Sequence, residues 1–406
     1  MRILAVDIGT TSAKAAVVDD GTIIEVAEGP IDLSHPRPGW AEQDPAQWWN
    51  AMLTAVRGLR ASSLADVAAV AATGQMQDLV PVRTRRNAAD AGVVRPAILY
   101  SDQRAVAEHD ALTARLGPAW AEAVLAQPDA TNVAAKWQWL REHEPDAAAA
   151  TICVLTGGAA YVVWRATDVA SADPTTAATT GLADVTRSAW WQPIVDATGI
   201  PLAPIVGATT VVGRLTAAAA GELGLAAGLP LVHACGDAVA TSIGVLGDVV
   251  DAPYAYLGTS GWVAVFRPAA EPADGVIVLP AHRPDRFISV APVLTAGGAA
   301  DWARESLLGD IDIDALDRLA ASACAANEGV AFLSQLDGSR APQADPHASG
   351  VLIGMRRSTS NAVIAAAIYE GVAHTLAAIA DLVVPGTSGE LTVCGGGSRS
   401  DVWCQV

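Results

Sequence analysis

Four short stretches put groups suited to proton and phosphate chemistry at the ends of apolar runs. In "LVHACGDAVATSIGVL" (231–246) an apolar strand stops at Cys235-Gly236-Asp237, and a small-residue helix starts at once. A carboxylate there has two readings. As an N-cap it satisfies free helix N–H groups. At the carboxyl end of a sheet strand, where open α/β folds bind ligands, it is placed to take a proton from a bound hydroxyl. These residues alone leave both open.

The N-terminal "VDIGTTSAK" (6–14) ends a strand on Asp7 and turns through Gly9, Thr10, Thr11 and Ser12 toward Lys14. Glycine lets the backbone approach an anion, the hydroxyls add donors, and Lys14 offsets charge. Asp7 suits a hydrated magnesium ion, which prefers oxygen ligands. An ordinary β-turn uses the same residue types. "YAYLGTSGWVAVF" (254–266) repeats the design at Gly258, Thr259 and Ser260. "LTVCGGGSRSDVW" (391–403) sets Gly395, Gly396, Gly397 and Ser398 between a strand and a helix start. Such a turn offers N–H groups to an anion, or lets a flat ring approach the backbone. Two hydroxyl-bearing hairpins that face one another would clamp a polyphosphate.

The elements that must position these groups are legible. Residues 3–26 form a β-meander, with "DDG" as its hairpin signal. The Pro-rich "SHPRPGWAEQDP" is loop, and Asp44-Pro45 starts a helix through "AQWWNAMLTAVRGL". "VAAVAATG" is a strand, and "AILYSD" is a strand ending in an acid. The strand–turn–strand design occurs once in each half, which suggests a duplicated unit. The expectation is an α/β protein.

Composition sets limits. The 406 residues suggest two or three domains, and 51% apolar with 17% charged residues allow a large core. A net charge of −18 disfavours nucleic acid and anionic membranes, so an anionic ligand needs a local cradle or a metal ion. The five cysteines, Cys153, Cys235, Cys324, Cys394 and Cys404, form no C-x-x-C pair and suit reduced thiols in a cytoplasmic protein. No signal-peptide h-region opens the chain. Residues 147–164 carry no charge, but Gly157-Gly158 break them into a strand, a turn and a helix start rather than a membrane span. Lysine occurs only as Lys14 and Lys136. His233 is read as a satisfied buried histidine, and His35, His282 and His347 show no metal spacing. Most tryptophans are read as packing; Trp40, in a Pro/Gly loop, is the one placed to border a ligand.

Together these motifs resemble the FGGY carbohydrate kinases. The likeness runs the length of the chain through "DIGTTSAKAAVVD", "GWAEQDPAQWW", "ATGQM", "RPAILYSDQR", "ACGDAVATSIGV", "LGTSGW", "YEGVAHTLA" and "CGGGSRSDVW". Within the family the pattern is similar to that of xylulokinases. The resemblance implies two ribonuclease-H-like (actin-like ATPase) domains around a central cleft, at 1–243 and 244–406. It implies ATP and Mg2+, a small sugar as the other substrate, no nucleic acid or membrane partner, and a homodimer as the candidate assembly. By motif, Asp7 with Gly9, Thr10, Thr11, Ser12 and Lys14 meets phosphate and magnesium. Gly258, Thr259 and Ser260 form the second phosphate hairpin. Gly297, Gly395, Gly396, Gly397 and Ser398 approach the nucleotide. Asp237 is the implied base and a second metal contact, ionised at neutral pH by its place at a helix N-terminus. Gln75, Met76, Gln77, Asp102, Asp237 and Trp40 are the implied sugar contacts.

The chain also departs from that pattern. Met-His-Gly after "GQ" reads Met76-Gln77-Asp78 here, and "P-K-D" reads Thr156-Gly157-Gly158. Family members continue beyond "DVWCQV", so the sequence is expected to be truncated at its C-terminus. An ATP- or sugar-binding regulator with weak catalysis is the competing reading. A zinc-bearing transcriptional regulator of related fold is disfavoured by the acidic charge and the absence of its cysteine motif.

Overall fold

A computed structural model describes residues 1–84, 90–323, 329–343, 345, 347–386 and 391–406; Cys324 lies outside them. The chain folds into two compact units. One comprises Met1–Thr241 with Leu279–Arg286, the other Ser242–Val278 with Phe287–Val406.

In the first unit the meander forms as strands β1 (Arg2–Ile8), β2 (Ser12–Asp19) and β3 (Thr22–Pro30). Alternation sends Leu4, Val6 and Ile8 of β1, and Ala13, Ala15 and Val17 of β2, to the core face. Helix α1 (Pro45–Gly58) covers that face with Trp48, Trp49, Met52 and Val56. Asp44 caps it, accepting the Ala46 N–H. β4 (Val67–Gly74) runs parallel to β1 on the side away from β2. Strands β7 (Val211–Arg214) and β8 (Pro230–His233) extend the sheet to the order β7-β8-β4-β1-β2-β3. Between β4 and β7 in sequence lie β5 (Met76–Val82), helix α2 (Val133–His143), β6 (Cys153–Gly157), α3 (Gly158–Thr167) and the short α4 (Pro174–Thr179). Helix α5 (Asp237–Leu246) follows β8, and the chain passes to the second unit within it.

The second unit repeats the topology. β9 (Tyr254–Leu257) and β10 (Gly261–Arg267) are an antiparallel hairpin. β11 (Phe287–Val293) flanks β10, and β12 (Thr392–Cys394) runs parallel to β9. The order β11-β10-β9-β12 mirrors β3-β2-β1-β4, so each half holds one glycine-turn hairpin whose first strand has a parallel neighbour. Helix α7 (Asn361–Val383) is long and apolar enough to cross a membrane by length and composition. In this fold it is a core helix, burying Ala365, Ile368, Tyr369, Val372 and Ile379.

Two local expectations change. "AILYSD" pairs as a strand only at Ala97–Ile98. The Tyr100 N–H goes to Asp78 Oδ1 (3.0 Å), and Asp102 N turns back to Leu99 O (3.0 Å), which ends the ladder. Gly157 and Gly158 join β6 directly to α3 with no intervening turn. They are there for close packing: a Cβ on Gly157 would lie 2.5 Å from Gln75 O, and one on Gly158 2.7 Å from Ile8 Cγ2.

Candidate active site

The first glycine turn closes where Gly9 N donates to Ser12 O at 3.0 Å. A Cβ on Gly9 would stand 3.1 Å from that oxygen. The turn is fastened from below by amides. Thr10 Oγ1 donates to Gln75 Oε1 (2.9 Å) and lies 3.3 Å from Tyr100 OH. Gln43 Nε2 donates to Thr10 O (2.6 Å), while its Oε1 accepts from Gln75 Nε2 (3.1 Å) and Trp48 Nε1 (2.8 Å). Gln75 N donates to Ile8 O (2.8 Å). The network leaves Thr11 exposed at the tip. Asp7 stands opposite Lys14 in the β1–β2 register. Its Oδ1 is buried and has no hydrogen-bond partner. Burial raises the Asp7 carboxyl above its ordinary range, and the Lys14 ammonium works against that rise.

Asp237 opens α5 directly after the β8 strand end. Gly236 allows the approach: a Cβ there would meet Met76 Sδ at 2.2 Å and Thr176 Oγ1 at 2.9 Å. Met76 therefore packs against the turn that carries Asp237. The expectation of an Asp237 ionised by its helix terminus is corrected. Burial, reinforced by the Asp7 and Asp173 carboxylates, pushes it up to about 7, and the Ala238 N–H offsets only part of this. Like charges sharing a desolvated site outweigh one helix-terminal N–H.

Gln77 adopts a left-handed backbone (φ +66°), and its Nε2 donates to Thr131 Oγ1 at 2.8 Å. The fully buried Lys136 donates to Gln77 O (3.0 Å) and Leu99 O (2.7 Å), tying this corner to the strand end. Burial pushes Asp78 up to about 8, opposed chiefly by Lys136, and pushes Lys136 down to about 8. Asp102 is placed differently from a free sugar contact. Its Oδ2 accepts from Ala41 N (2.7 Å) and Arg104 Nη2 (2.7 Å), and its Oδ1 from Arg104 N (3.0 Å) and Nε (2.9 Å). Those four bonds fill a carboxylate's acceptor positions. Arg104 also stacks over Trp40 at 3.7 Å, and Trp139 meets Trp40 edge-on at 5.3 Å. Asp102 thus fixes the guanidinium that braces the Trp40 loop.

In the second unit Gly258 N donates to Ser260 O (3.0 Å), closing the second turn. The start of α6 (Gly297–Trp302) sits on that hairpin: Gly297 N reaches Gly258 O (2.6 Å) and Gly298 N reaches Thr259 O (3.0 Å). The third turn lies against the same strand end. Gly395 has φ +95°, and a Cβ there would lie 2.7 Å from Leu257 O; one on Gly397 would strike Leu257 Cγ at 2.4 Å. Gly396 faces open space, and Ser398 Oγ donates to Gly395 O (2.8 Å). Residues 258–260, 297 and 395–398 are therefore neighbours around Leu257. A Cβ on Gly297 would fall 2.5 Å from Gly258 O, which is backbone and cannot swing aside. Gly297→Ala is expected to push the start of α6 off the hairpin and lower the melting temperature by several degrees. Thermal unfolding checks this, and an unchanged melting temperature contradicts it.

Several residues of this site carried little sequence signal. Gln43, Tyr100 and Asp173 act across 33, 90 and 63 residues respectively. Asp173-Pro174 is a helix-start dipeptide like Asp44-Pro45, and the scarcity of lysine was a pointer to Lys136.

A hairpin of this kind in each of two topologically matching units is the actin-like ATPase fold of the sugar kinases. Residues 2–244 match the FGGY family of carbohydrate kinases, N-terminal domain, and residues 254–406 its C-terminal domain. The chain belongs to this family. It is 31% identical over 415 residues to a xylulose kinase of Escherichia coli (strain K12), covering 99% of this chain and 83% of the relative. It is 33% identical over 414 residues to a xylulose kinase of Streptomyces rubiginosus, covering 100% and 82%. The crystal structure of xylulose kinase from Rhodospirillum rubrum matches with a TM-score of 0.87 at 28% identity, covering 99% of this chain and 83% of that one. The protein is a phosphotransferase that uses ATP to phosphorylate a sugar.

Proposed function

We propose that this kinase phosphorylates D-xylulose or a closely related ketose in the cytoplasm, with Asp237 as general base. The observation that carries the reading is the Asp7–Asp237 pair: two carboxylates of one unit, close enough that Asp7 raises Asp237, one beside a glycine turn and one at a helix start. Asp237 accepts the proton of the attacking sugar hydroxyl. A base whose proton affinity lies near the working pH is suited to that transfer. Met76 packs against the turn that carries the base, and Gln77 presents its amide beside Thr131. In the first unit residues 9–12 offer a phosphate backbone N–H and hydroxyl donors. In the second unit residues 258–260 offer the same set. Residues 297 and 395–398 lie along the adenosine.

A magnesium ion fits the donor set. Asp7 Oδ1 is a buried acceptor with no protein partner, and Asp237 is raised by a neighbouring negative charge, a strain that a cation relieves. Asp7 and Asp237 would hold it, largely through water; magnesium is bound by one or two carboxylates plus substrate phosphates rather than by an all-protein cage. Among the described residues the group of three His, Cys, Asp or Glu at ligand spacing is Glu108, Glu142 and His143, which includes neither. When bound, the ion neutralises charge on the transferring phosphoryl group.

The sugar is tested by coupled ADP release across ketoses and polyols. D-xylulose is expected to give the highest kcat/KM, and a tenfold better polyol would overturn that assignment. Gln77→His restores the side chain of the family pattern. Histidine tolerates the left-handed backbone better than most residues. The variant is expected to raise kcat/KM for D-xylulose relative to other ketoses about tenfold, because a site that pairs a hydroxyl discriminates against leaving it unpaired. An unchanged ratio removes Gln77 from substrate reading.

A further inference from the structure

Asp173 lies just ahead of α4 and is 1% exposed. Its Oδ1 accepts two N–H groups at 3.0 Å. One is Thr176 N, the ordinary capping bond of α4. The other is Gly236 N, 63 residues along the chain and adjacent to Asp237. Its Oδ2 faces His233 Nε2 at 3.6 Å, beyond hydrogen-bond length. His233 Nδ1 in turn lies 2.9 Å from Ser171 Oγ. His233 is buried, and burial lowers its proton affinity. The Thr176 N–H bond is sufficient to cap the six-residue α4. The second bond, to Gly236 N, therefore calls for a reason beyond the cap.

We propose that Asp173 is a positioning residue for the base: it pins the Gly236 N–H and so fixes the turn that aims the Asp237 carboxylate. Gly236 is held from both sides, by this bond and by Met76 and Thr176, which leave no room for a Cβ.

The inference rests on Asp237 being the base, and the test separates the two. The full chain is assayed as wild type, Asp173→Ala, Asp173→Asn and Asp237→Asn, for kcat per active site, both KM values and the melting temperature. Asp173→Ala is expected to lower kcat about 10- to 100-fold with the ATP KM within twofold. Asp173→Asn keeps an oxygen that accepts from Gly236, so it is expected to recover kcat to within about threefold at pH 8. A purely structural role instead lowers the melting temperature and the active fraction, with kcat per active site unchanged. Asp173→Ala at wild-type kcat per active site, or Asn no better than Ala, overturns the proposal. If Asp237→Asn turns over at near wild-type rate, it is the base assignment that fails. An inactive Asp237→Asn beside a fully active Asp173→Ala sinks the positioning role alone.

Discussion

Asp237→Asn is expected to lower kcat by about 10²–10⁴ while ATP binds within about twofold of wild type. Asparagine keeps the shape and can still accept the Ala238 N–H, but it cannot take a proton. The same change should stabilise the free protein, with a defined pH signature. Asp237 stands at about 7 in the fold and at about 3.9 unfolded. The native state therefore binds more protons between those values, and wild-type stability falls as pH rises from about 4 through about 7. The Asn variant lacks that loss. Its gain is largest above pH 7, roughly 1–3 kcal/mol given partial exposure, and vanishes below about pH 4. Melting curves at pH 4, 6 and 8 check the sign. A variant that loses both turnover and stability at pH 8 would point to simple structural damage.

Asp7→Asn carries the second large effect. One buried carboxylate oxygen without a partner is replaced by an amide, and the strongest charge acting on Asp237 disappears. The magnesium concentration for half-maximal rate should rise at least tenfold, and kcat should fall by about 10–10³. The acid limb of kcat/KM at limiting magnesium should move to lower pH, because Asp237 loses its nearest like charge. Magnesium titration of both enzymes reads the first effect; an identical half-saturation contradicts the role given to Asp7.

What sequence showed, and what it hid, follows from the range of each interaction. The meander, both Gly-Thr-Ser hairpins and α1 are set by neighbours a few residues apart, so alternation, "DDG" and Asp44-Pro45 reveal them. The glycines at 157 and 158 looked like a turn, because what excludes a Cβ there is Gln75 O and Ile8, distant in sequence. Asp102 looked free although Arg104, two residues on, binds it; what the sequence hid is Ala41 N, which meets it only in the fold. The protonation of Asp237 was misjudged for the same reason. A helix start is local, whereas the desolvation and the Asp7 and Asp173 charges that win are assembled by the sheet.

Phosphoryl transfer to a sugar through Asp237 is tested most directly in a single turnover. Enzyme in excess is mixed with γ-labelled ATP and magnesium, with and without D-xylulose, and quenched over time. Label is expected to leave ATP only when sugar is present, to appear one-for-one in a sugar phosphate ester, and to remain on ATP in Asp237→Asn. Label appearing as inorganic phosphate regardless of sugar, or ester forming in Asp237→Asn at the wild-type rate, would contradict the account.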